Sequence, residues 1–136
     1  MKLHMRFSIF LFCFAFLAAE CTAEDLGKGY SRKGGFVFFE GKRIDQEGAH
    51  DIKKFSRAVG RKLTLCSEVD AASFEVLSEE YTRDKNKVYY KWISPGRFWV
   101  VELPKTDVGT FESIGFNLAR DKNHVWWYGR TLPGVD

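Results

Sequence analysis

The apolar residues of this chain fall into three patterns, and each pattern predicts a different kind of segment. A continuous apolar run occupies residues 7–19. Further along, stretches such as Val37-Phe38-Phe39 and Val88-Tyr89-Tyr90 predict strands, because β-branched and aromatic side chains suit a pleated surface. Between residues 52 and 59 the apolar positions lie one or two turns apart, with an Asp before them and a Gly after them. This spacing predicts a short helix.

One motif occurs twice and organises the predicted strands. The residues Asp84-Lys85-Asn86-Lys87-Val88-Tyr89-Tyr90 return as Asp121-Lys122-Asn123-His124-Val125-Trp126-Trp127. Each copy follows an Asp-x-x-Ser/Thr-Phe-Glu segment, at residues 70–75 and 107–112, so both parts recur at the same spacing of 37 residues. Self-similarity of this kind is typical of a repeated supersecondary unit.

The motif predicts a tight β-hairpin. Asp commonly opens a turn, and Asn tolerates the left-handed conformation that ends a three-residue loop, so we expect positive φ at Asn86 and Asn123. A weaker first copy has Gly35 at the same position, and Gly adopts positive φ without strain. With this loop Tyr81 faces Tyr89 across the hairpin, whereas a two-residue loop would shift every partner.

The motif, together with its preceding Asp-x-x-Ser/Thr-Phe-Glu segment, resembles the DKNYY repeat family of bacterial proteins. The resemblance covers most of the chain after residue 23, as two good copies and a degenerate leading one. The chain departs from the family pattern in lacking Asp-Lys-Asn in its first copy and in carrying an insertion after Tyr90. The resemblance implies a family of largely unknown function, and it assigns no catalytic residue.

These patterns predict a mainly β fold of repeated antiparallel hairpins, arranged as a small sandwich-like or irregular β domain. One short helix is expected near residues 52–59. The repeated units lie near residues 30–44, 70–92 and 107–132, and residues 24–136 form a single domain. A chain of this length is long enough to build its own hydrophobic core.

The first 23 residues predict an export signal. A short basic start precedes the apolar run of residues 7–19, and small residues follow it at the expected cleavage positions. The run is shorter than the roughly 20 residues that a membrane-spanning helix needs, so no transmembrane span is expected. A lipid on Cys21 is an alternative, although Glu20 stands where such sites have a small residue. We expect a periplasmic or secreted protein that begins near Glu24.

The charge of the exported chain argues against a nucleic-acid partner. Removing residues 1–23 lowers Lys plus Arg from 21 to 19 and Asp plus Glu from 18 to 17, which leaves a formal charge of +2. No basic block is apparent, and nucleic-acid binding usually has such an electrostatic footprint. Of the three cysteines only Cys66 remains, in an alternating stretch that predicts a buried, unreactive thiol.

The sequence contains no recognisable catalytic or metal-binding motif. His50, His124 and Cys66 lack the spacing of metal ligands, and no Gly-x-Ser-x-Gly, His-Glu-x-x-His or phosphate-binding loop is present. Asp84 and Asp121 lie at matching positions, but the repeat explains the match if both are turn residues. We predict no catalytic residue, no metal and no cofactor, and therefore a protein that is not an enzyme.

Aromatic residues carry the one functional indication. Trp, Tyr and Arg are enriched in protein-binding hot spots, and exposed aromatic rings also bind sugars. Most of these side chains also fit positions in a core, Trp99 in particular. The candidate binding residues are Trp92, Arg97, Trp99, Trp126, Trp127 and Tyr128.

Two function classes follow from this reasoning. The first is a non-enzymatic module of the periplasm or cell envelope that binds another protein, for instance an immunity or inhibitor protein that neutralises a toxic effector. The alternative is a module that binds a glycan or the cell wall through exposed Trp and Tyr side chains. An uncharacterised hydrolase is a weaker third option. Because Trp92, Arg97 and Trp99 lie in the insertion after the second hairpin, we expect partner contacts there.

Overall fold

A computed structural model describes residues 22–134, so residues 1–21 of the predicted export signal lie outside the described part of the chain. The described residues form three four-stranded antiparallel sheets and one helix. The prediction of a mainly antiparallel β fold is confirmed. The helix, α1, spans Ile52–Val59 as the apolar spacing predicts, and Gly60 ends it in the left-handed conformation at φ 76°.

Each sheet follows the order of its strands along the chain. The first contains β1 Glu24–Gly27, β2 Tyr30–Lys33, β3 Phe36–Phe39 and β4 Lys42–Arg43. The second contains β5 Glu75–Val76, β6 Tyr81–Arg83, β7 Val88–Ser94 and β8 Arg97–Glu102. The third contains β9 Glu112–Gly115, β10 Leu118–Arg120, β11 Val125–Trp127 and β12 Arg130–Thr131. The insertion after Tyr90 therefore forms the end of β7 and a long fourth strand.

The register of the hairpins differs by one residue from the predicted one. Tyr81 pairs with Tyr90 and not with Tyr89. The loop holds two residues and not three, because the backbone N–H of Asp84 donates to the carbonyl oxygen of Lys87 at 3.0 Å. The same register pairs Tyr30 with Phe39 in the first unit and Leu118 with Trp127 in the third.

Positive φ is observed at Gly35, at 82°, but the prediction was wrong for Asn86 and Asn123. The carboxylate of Asp84 explains the difference, because its Oδ1 accepts hydrogen bonds of 2.8 Å from the backbone N–H groups two and three residues further on. A loop closed by an Asp side chain needs no left-handed residue. The first hairpin lacks this Asp and uses two left-handed glycines, Gly34 and Gly35, as in a type I′ turn.

The three sheets are stacked, and the two hydrophobic cores lie between neighbouring sheets. Side chains alternate between the two faces of a strand, so the second sheet supplies one face to each core. The first core includes Tyr30, Val37 and Phe39 of the first sheet with Phe74, Tyr89, Phe98 and Val100. The second core includes Tyr81, Val88, Tyr90 and Val101 of the second sheet with Phe111, Ala119 and Trp126.

Helix α1 lies in the long connection between the first two sheets and packs on the second. The ring of Phe55 stacks on Trp99 with centroids 3.9 Å apart. Asp51 precedes the helix, but its side chain does not cap it. The carboxylate instead accepts hydrogen bonds from Arg97 and from the indole N–H of Trp99, and these bonds fix the helix to β8.

Candidate functional site

A hydrogen-bonded clasp closes the second unit and uses the residues of its motif. Oδ2 of Asp84 accepts a bond of 2.9 Å from the backbone N–H of Asp70. Ser73 Oγ donates to Asp70 Oδ2 at 2.5 Å and accepts from the backbone N–H of Lys85 at 2.8 Å. The short turn Ala71–Ser73 is thereby held against the tip of the hairpin.

The third unit repeats this clasp bond for bond. Asp121 Oδ2 accepts from the backbone N–H of Asp107 at 2.7 Å, and Thr110 Oγ1 accepts from the backbone N–H of Lys122 at 3.0 Å. The Thr110 hydroxyl also donates to the Asp107 carboxylate. Asp121 therefore serves the hairpin as Asp84 does, and the turn-forming role that the repeat predicts for both residues agrees with these contacts.

The environment of Asp84 leaves it unsuited to acid–base chemistry. Burial of this side chain favours the neutral acid. That effect is outweighed by hydrogen bonds from the Tyr89 hydroxyl, at 2.6 Å, and from the backbone N–H groups of Asp70, Asn86 and Lys87. The pKa of Asp84 consequently lies below its ordinary value. The ionised carboxylate is fully occupied as a hydrogen-bond acceptor.

A second network joins one unit to the next. Arg32 of the first unit forms an ion pair with Glu24, with 2.7 Å between Nε and Oε2. Its Nη1 donates to the carbonyl oxygens of Ala71 and Ala72 at 2.7 and 3.0 Å. These carbonyls belong to the turn that begins the second unit.

Arg83 makes the same connection between the second and third units. Its Nε pairs with Glu75 Oε1 at 2.5 Å, and its Nη1 donates to the carbonyl oxygens of Val108 and Phe111 at 3.0 and 2.9 Å. In both cases a Glu eight residues earlier holds the guanidinium group, and the next turn supplies two carbonyl acceptors.

The third unit contains the same Arg and Glu, but no segment of residues 22–134 covers them. Arg120 Nε pairs with Glu112 Oε1 at 2.5 Å, and no residue in the range 22–134 gives this guanidinium group a carbonyl acceptor. The Arg120 side chain is 62 % exposed, against 26 % for Arg32 and 27 % for Arg83. The guanidinium group of the third unit is thus available for contact.

We use the name open face for the side of the third sheet that carries Leu118, Arg120, Val125 and Trp127. These residues share one face because Leu118 pairs with Trp127 and Arg120 with Val125 across the hairpin, and cross-strand partners point the same way. Ile114 lies in a β-bulge opposite Leu118 at the edge of this face. The opposite side of the sheet carries Ala119 and Trp126 and belongs to the second core.

The open face is the counterpart of a surface that is buried in the earlier units. Leu118, Val125 and Trp127 correspond to Tyr81, Val88 and Tyr90, all of which are buried under the third unit, and the first unit is covered in the same way by the second. Trp127 is 47 % exposed where Tyr90 is 3 % exposed. In the described part of the chain, the repeat thus leaves one apolar sheet face without a layer on it.

The structure separates the six residues predicted from sequence. Trp127 and Tyr128 are exposed on the third unit. Trp99 and Trp126 are buried, one under α1 and the other in the second core, so neither is available to a partner in this structure.

The two remaining predicted residues are occupied by contacts within the chain. The Trp92 ring is half-buried, with its centroid 5.8 Å from that of Phe55 and 5.4 Å from that of Tyr90. Arg97 is paired with Asp51. The two Trp side chains of the insertion are therefore both packed against the helix. The structure does not bring these two residues together with Trp127 and Tyr128.

Sequence reasoning missed Leu118 and Arg120 as functional candidates. A signal for Arg120 was present, because the Arg recurs at this position in all three copies of the unit. Leu118 stands where the other two copies have Tyr, and this difference between the copies can be read from the sequence. What the sequence did not show is that these positions are covered in two units and uncovered in the third.

A groove of about 650 Å³ runs between α1 and residues 60–65. Its lining contains no acid, thiol or imidazole, and its apolar and basic side chains offer contacts to an apolar or acidic group. The lining combines the apolar residues Ile52, Leu63 and Leu65 with the basic residues Lys53, Arg57, Arg61 and Lys62.

Two further features of residues 22–134 bear on the predicted partners. No three His, Cys, Asp or Glu side chains of this part of the chain converge closely enough to hold a metal ion. In the same part, no helix has the length and apolar character needed to cross a membrane. Cys66 is a free cysteine and is buried as predicted, and burial raises the pKa of its thiol, which disfavours the reactive thiolate.

Comparison with known proteins gives one match. The DKNYY family model matches residues 21–130, a range that includes the first two sheets and the third sheet as far as Arg130. No curated protein and no solved structure matches the chain.

Proposed function

The chain belongs to the DKNYY family, and from that premise we propose that it is an exported, non-enzymatic module that binds another protein through the open face of its third sheet. Membership of the family assigns no activity by itself, because the family's function is unknown. The proposal rests on one observation, which is the exposure of an apolar surface that the two preceding units bury.

The large exposed apolar side chains are concentrated on this unit. Six such side chains occur in residues 22–134, and four of them are Ile114, Phe116, Trp127 and Tyr128 of the third unit. Contiguous exposed apolar surface on a small domain commonly marks an interaction site. The open face adds Arg120, a residue type that is enriched in binding hot spots.

A protein partner fits this surface better than a glycan. At the equivalent positions of the first and second units, the covering layer is protein in both cases. The open face also includes aliphatic side chains, Leu118 and Val125, beside its single Trp. A sugar-binding platform instead relies mainly on flat aromatic rings with polar groups around them. The glycan alternative rests on Trp127 and Tyr128 alone.

Export is the second part of the proposal. Its support is the order of residues 1–23, in which a basic start, an apolar run and small residues follow one another. A small exported protein that binds another protein suits a role such as neutralising a toxic effector in the periplasm or envelope. N-terminal sequencing of exported material should give a start near Glu24. An intact Met1, or a lipid on Cys21, would contradict this.

Affinity capture from extracts of the native host, quantified by mass spectrometry, tests the binding surface. Trp127→Ala should remove a partner that the wild-type protein retains. Phe36→Ala is the matched control, because Phe36 lies on the first sheet and is 44 % exposed, close to the 47 % of Trp127. A partner lost equally with both variants, or with neither, would show that the open face is not the binding surface. Retention on peptidoglycan that depends on Trp127 would establish the glycan alternative.

A further inference from the structure

This inference rests on the proposed function and concerns what the partner presents to the open face. We infer that the partner binds with a backbone turn that offers two carbonyl oxygens to Arg120 and places an aromatic side chain on Leu118. A turn of this chemistry covers the same positions in both of the earlier units. The partner is therefore a protein that carries a turn like the one that begins a DKNYY repeat.

The first instance lies between the first and second units. The turn Ala71–Ser73 offers the carbonyl oxygens of Ala71 and Ala72 to Arg32. The residue after this turn, Phe74, places its ring 5.7 Å from the ring of Tyr30. One turn therefore satisfies the guanidinium group and also covers the aromatic residue two positions before it.

The second instance lies between the second and third units, and one of its two carbonyl acceptors comes from a different position of the repeat. Val108 and Phe111 offer their carbonyl oxygens to Arg83. The Phe111 ring lies 5.5 Å from the ring of Tyr81. Because both instances combine two carbonyl acceptors with one Phe, the combination is a property of the interface and not of one particular turn.

The open face carries an Arg–Glu pair like the one that receives such a turn in each of the earlier units. Arg120 is held by Glu112 through Nε, as Arg83 is held by Glu75, and its remaining N–H groups have no carbonyl acceptor in residues 22–134. Hydrogen bonds from a guanidinium group to carbonyl oxygens are charge-assisted and strong. A carbonyl oxygen has two lone pairs, and in these turns the carbonyls of Ala71 and Val108 each accept a backbone N–H and still accept the arginine.

A second copy of this chain does not supply such a turn. Its two turns of this kind are already engaged, one on Arg32 and the other on Arg83. The leading unit has no equivalent turn. When Glu24 is aligned with Glu75, Ala23 stands at the position of Phe74, so the aromatic side chain is missing. The occupant is therefore a different protein.

The chain itself provides a probe for this surface. Leu132-Pro133-Gly134-Val135-Asp136 matches Leu103-Pro104-Lys105-Thr106-Asp107 at three of five positions. A copy of residues 108–132 placed after Asp136 therefore continues the repeat in register. In this extended chain the added turn is tethered beside the open face at a high effective concentration.

Hydrogen exchange of residues 118–127, measured by mass spectrometry, reports whether the added turn binds. We expect exchange about tenfold slower in the extended chain than in the parent, which corresponds to about 1.4 kcal/mol. Arg120→Ala in the extended chain should remove most of this protection, whereas the same substitution in the parent should leave exchange in this segment nearly unchanged. A folded extension that gives no protection, or protection that does not depend on Arg120, would overturn the inference.

A measurement in trans covers the case in which the added unit does not fold. A synthetic peptide of residues 104–118 is titrated onto the ¹⁵N-labelled parent chain, and the Nε–H signal of Arg120 is followed. The signal should shift with this peptide and shift much less with a peptide that carries Phe111→Ser. Equal shifts, or no shift with either peptide, would overturn the inference.

The two proposals can fail separately. If partner capture depends on Trp127 but neither the extension nor the peptide affects Arg120, the protein-binding function stands and the turn is the wrong partner chemistry. If partner capture does not depend on Trp127, the open face is not the binding surface, whatever the extended chain shows.

Discussion

The backbone N–H of Asp70 donates to the carboxylate of Asp84 at 2.9 Å, across a separation of 14 residues. Asp107 and Asp121 make the same bond at 2.7 Å. The first residue of each repeated segment is thus fastened to the first residue of the Asp-Lys-Asn tip. The residues that recur in the sequence are therefore the ones that form this clasp, because the clasp needs each of these residue types at its position.

This clasp predicts unequal costs for two equivalent substitutions. Asp84→Ala should lower the free energy of unfolding by about 3 kcal/mol, because it leaves the buried Tyr89 hydroxyl and three backbone N–H groups without an acceptor. Asp121→Ala should cost about 1 kcal/mol, because Asp121 is less buried and has no such tyrosine partner. Urea denaturation measures both, with Asn86→Ala as a control that stays within about 0.5 kcal/mol. Equal costs for the two aspartates would contradict this account.

The equivalent arginines Arg83 and Arg120 make a second matched pair. Arg83→Lys should cost about 2 kcal/mol, because a lysine does not reproduce the fork of bonds to Glu75 and to the carbonyls of Val108 and Phe111. Arg120→Lys should change stability by less than about 0.5 kcal/mol, since an exposed ion pair contributes little. Thermal and urea unfolding of the two variants give the comparison. A large cost at Arg120 would mean that the open face is already covered in the isolated protein.

Two glycines test the packing of Trp99 under the helix. Gly48 and Gly41 have nearly the same backbone conformation, with φ 82° and 81°. A Cβ at Gly48 would overlap the Trp99 indole ring, whereas a Cβ at Gly41 would meet nothing within 4 Å. Gly41→Ala should cost about 1 kcal/mol from backbone strain alone. Gly48→Ala should cost about 3 kcal/mol, because overpacking adds to the strain. Similar unfolding midpoints for the two variants would place Trp99 outside the core.

Lys91 predicts an unusual response of stability to alkaline pH. Its Nζ lies 3.5 Å from the ring centroid of Phe39, and burial lowers its pKa to about 8. The unfolded chain keeps this proton up to about pH 10.4, so between these values the unfolded state binds more protons than the folded state. The Lys91 contribution to stability should therefore rise as the pH increases from 8 towards 10.

Lys91→Met separates this contribution from the other groups that titrate in the same range. The difference in urea midpoint between wild type and Lys91→Met should shift in favour of the wild type as the pH rises from 7 to 9.5. A difference that does not change with pH would show that the Lys91 amine is solvated in the folded protein.

Much of the local structure could be predicted because it depends on neighbouring residues. Helix α1 follows from the spacing of Ile52, Phe55 and Val59 and from Gly60, and the hairpins follow from the repeated motif. The register did not follow, because the side chain of Asp84 closes the loop and so removes the need for a left-handed Asn. Asp and Asn both favour turns, and the sequence does not show which of them sets the geometry.

The exposure of the aromatic residues depends on contacts between distant segments, and this is why the sequence did not show which of the predicted binding residues lie on the surface. Trp92 pairs with Trp99 across the long second hairpin, and Phe55 of the helix packs against both rings. The two segments that depart from the simple repeat, the helix and the long hairpin, therefore cover each other. Trp127 has the same residue type and strand context, but no segment of residues 22–134 covers it. Composition and periodicity do not distinguish these cases.

The stacking of separate sheets also has a consequence for the order in which the protein is built during synthesis. Every ladder of strands in residues 22–134 lies within a single unit, so the first core closes between two sheets that are complete by Glu102. The third unit then packs on the second sheet, which has already formed, as expected when each repeat contacts only its neighbours. A released chain truncated shortly after Leu103 should accordingly show a protease-resistant fragment. The open face is the last surface to form.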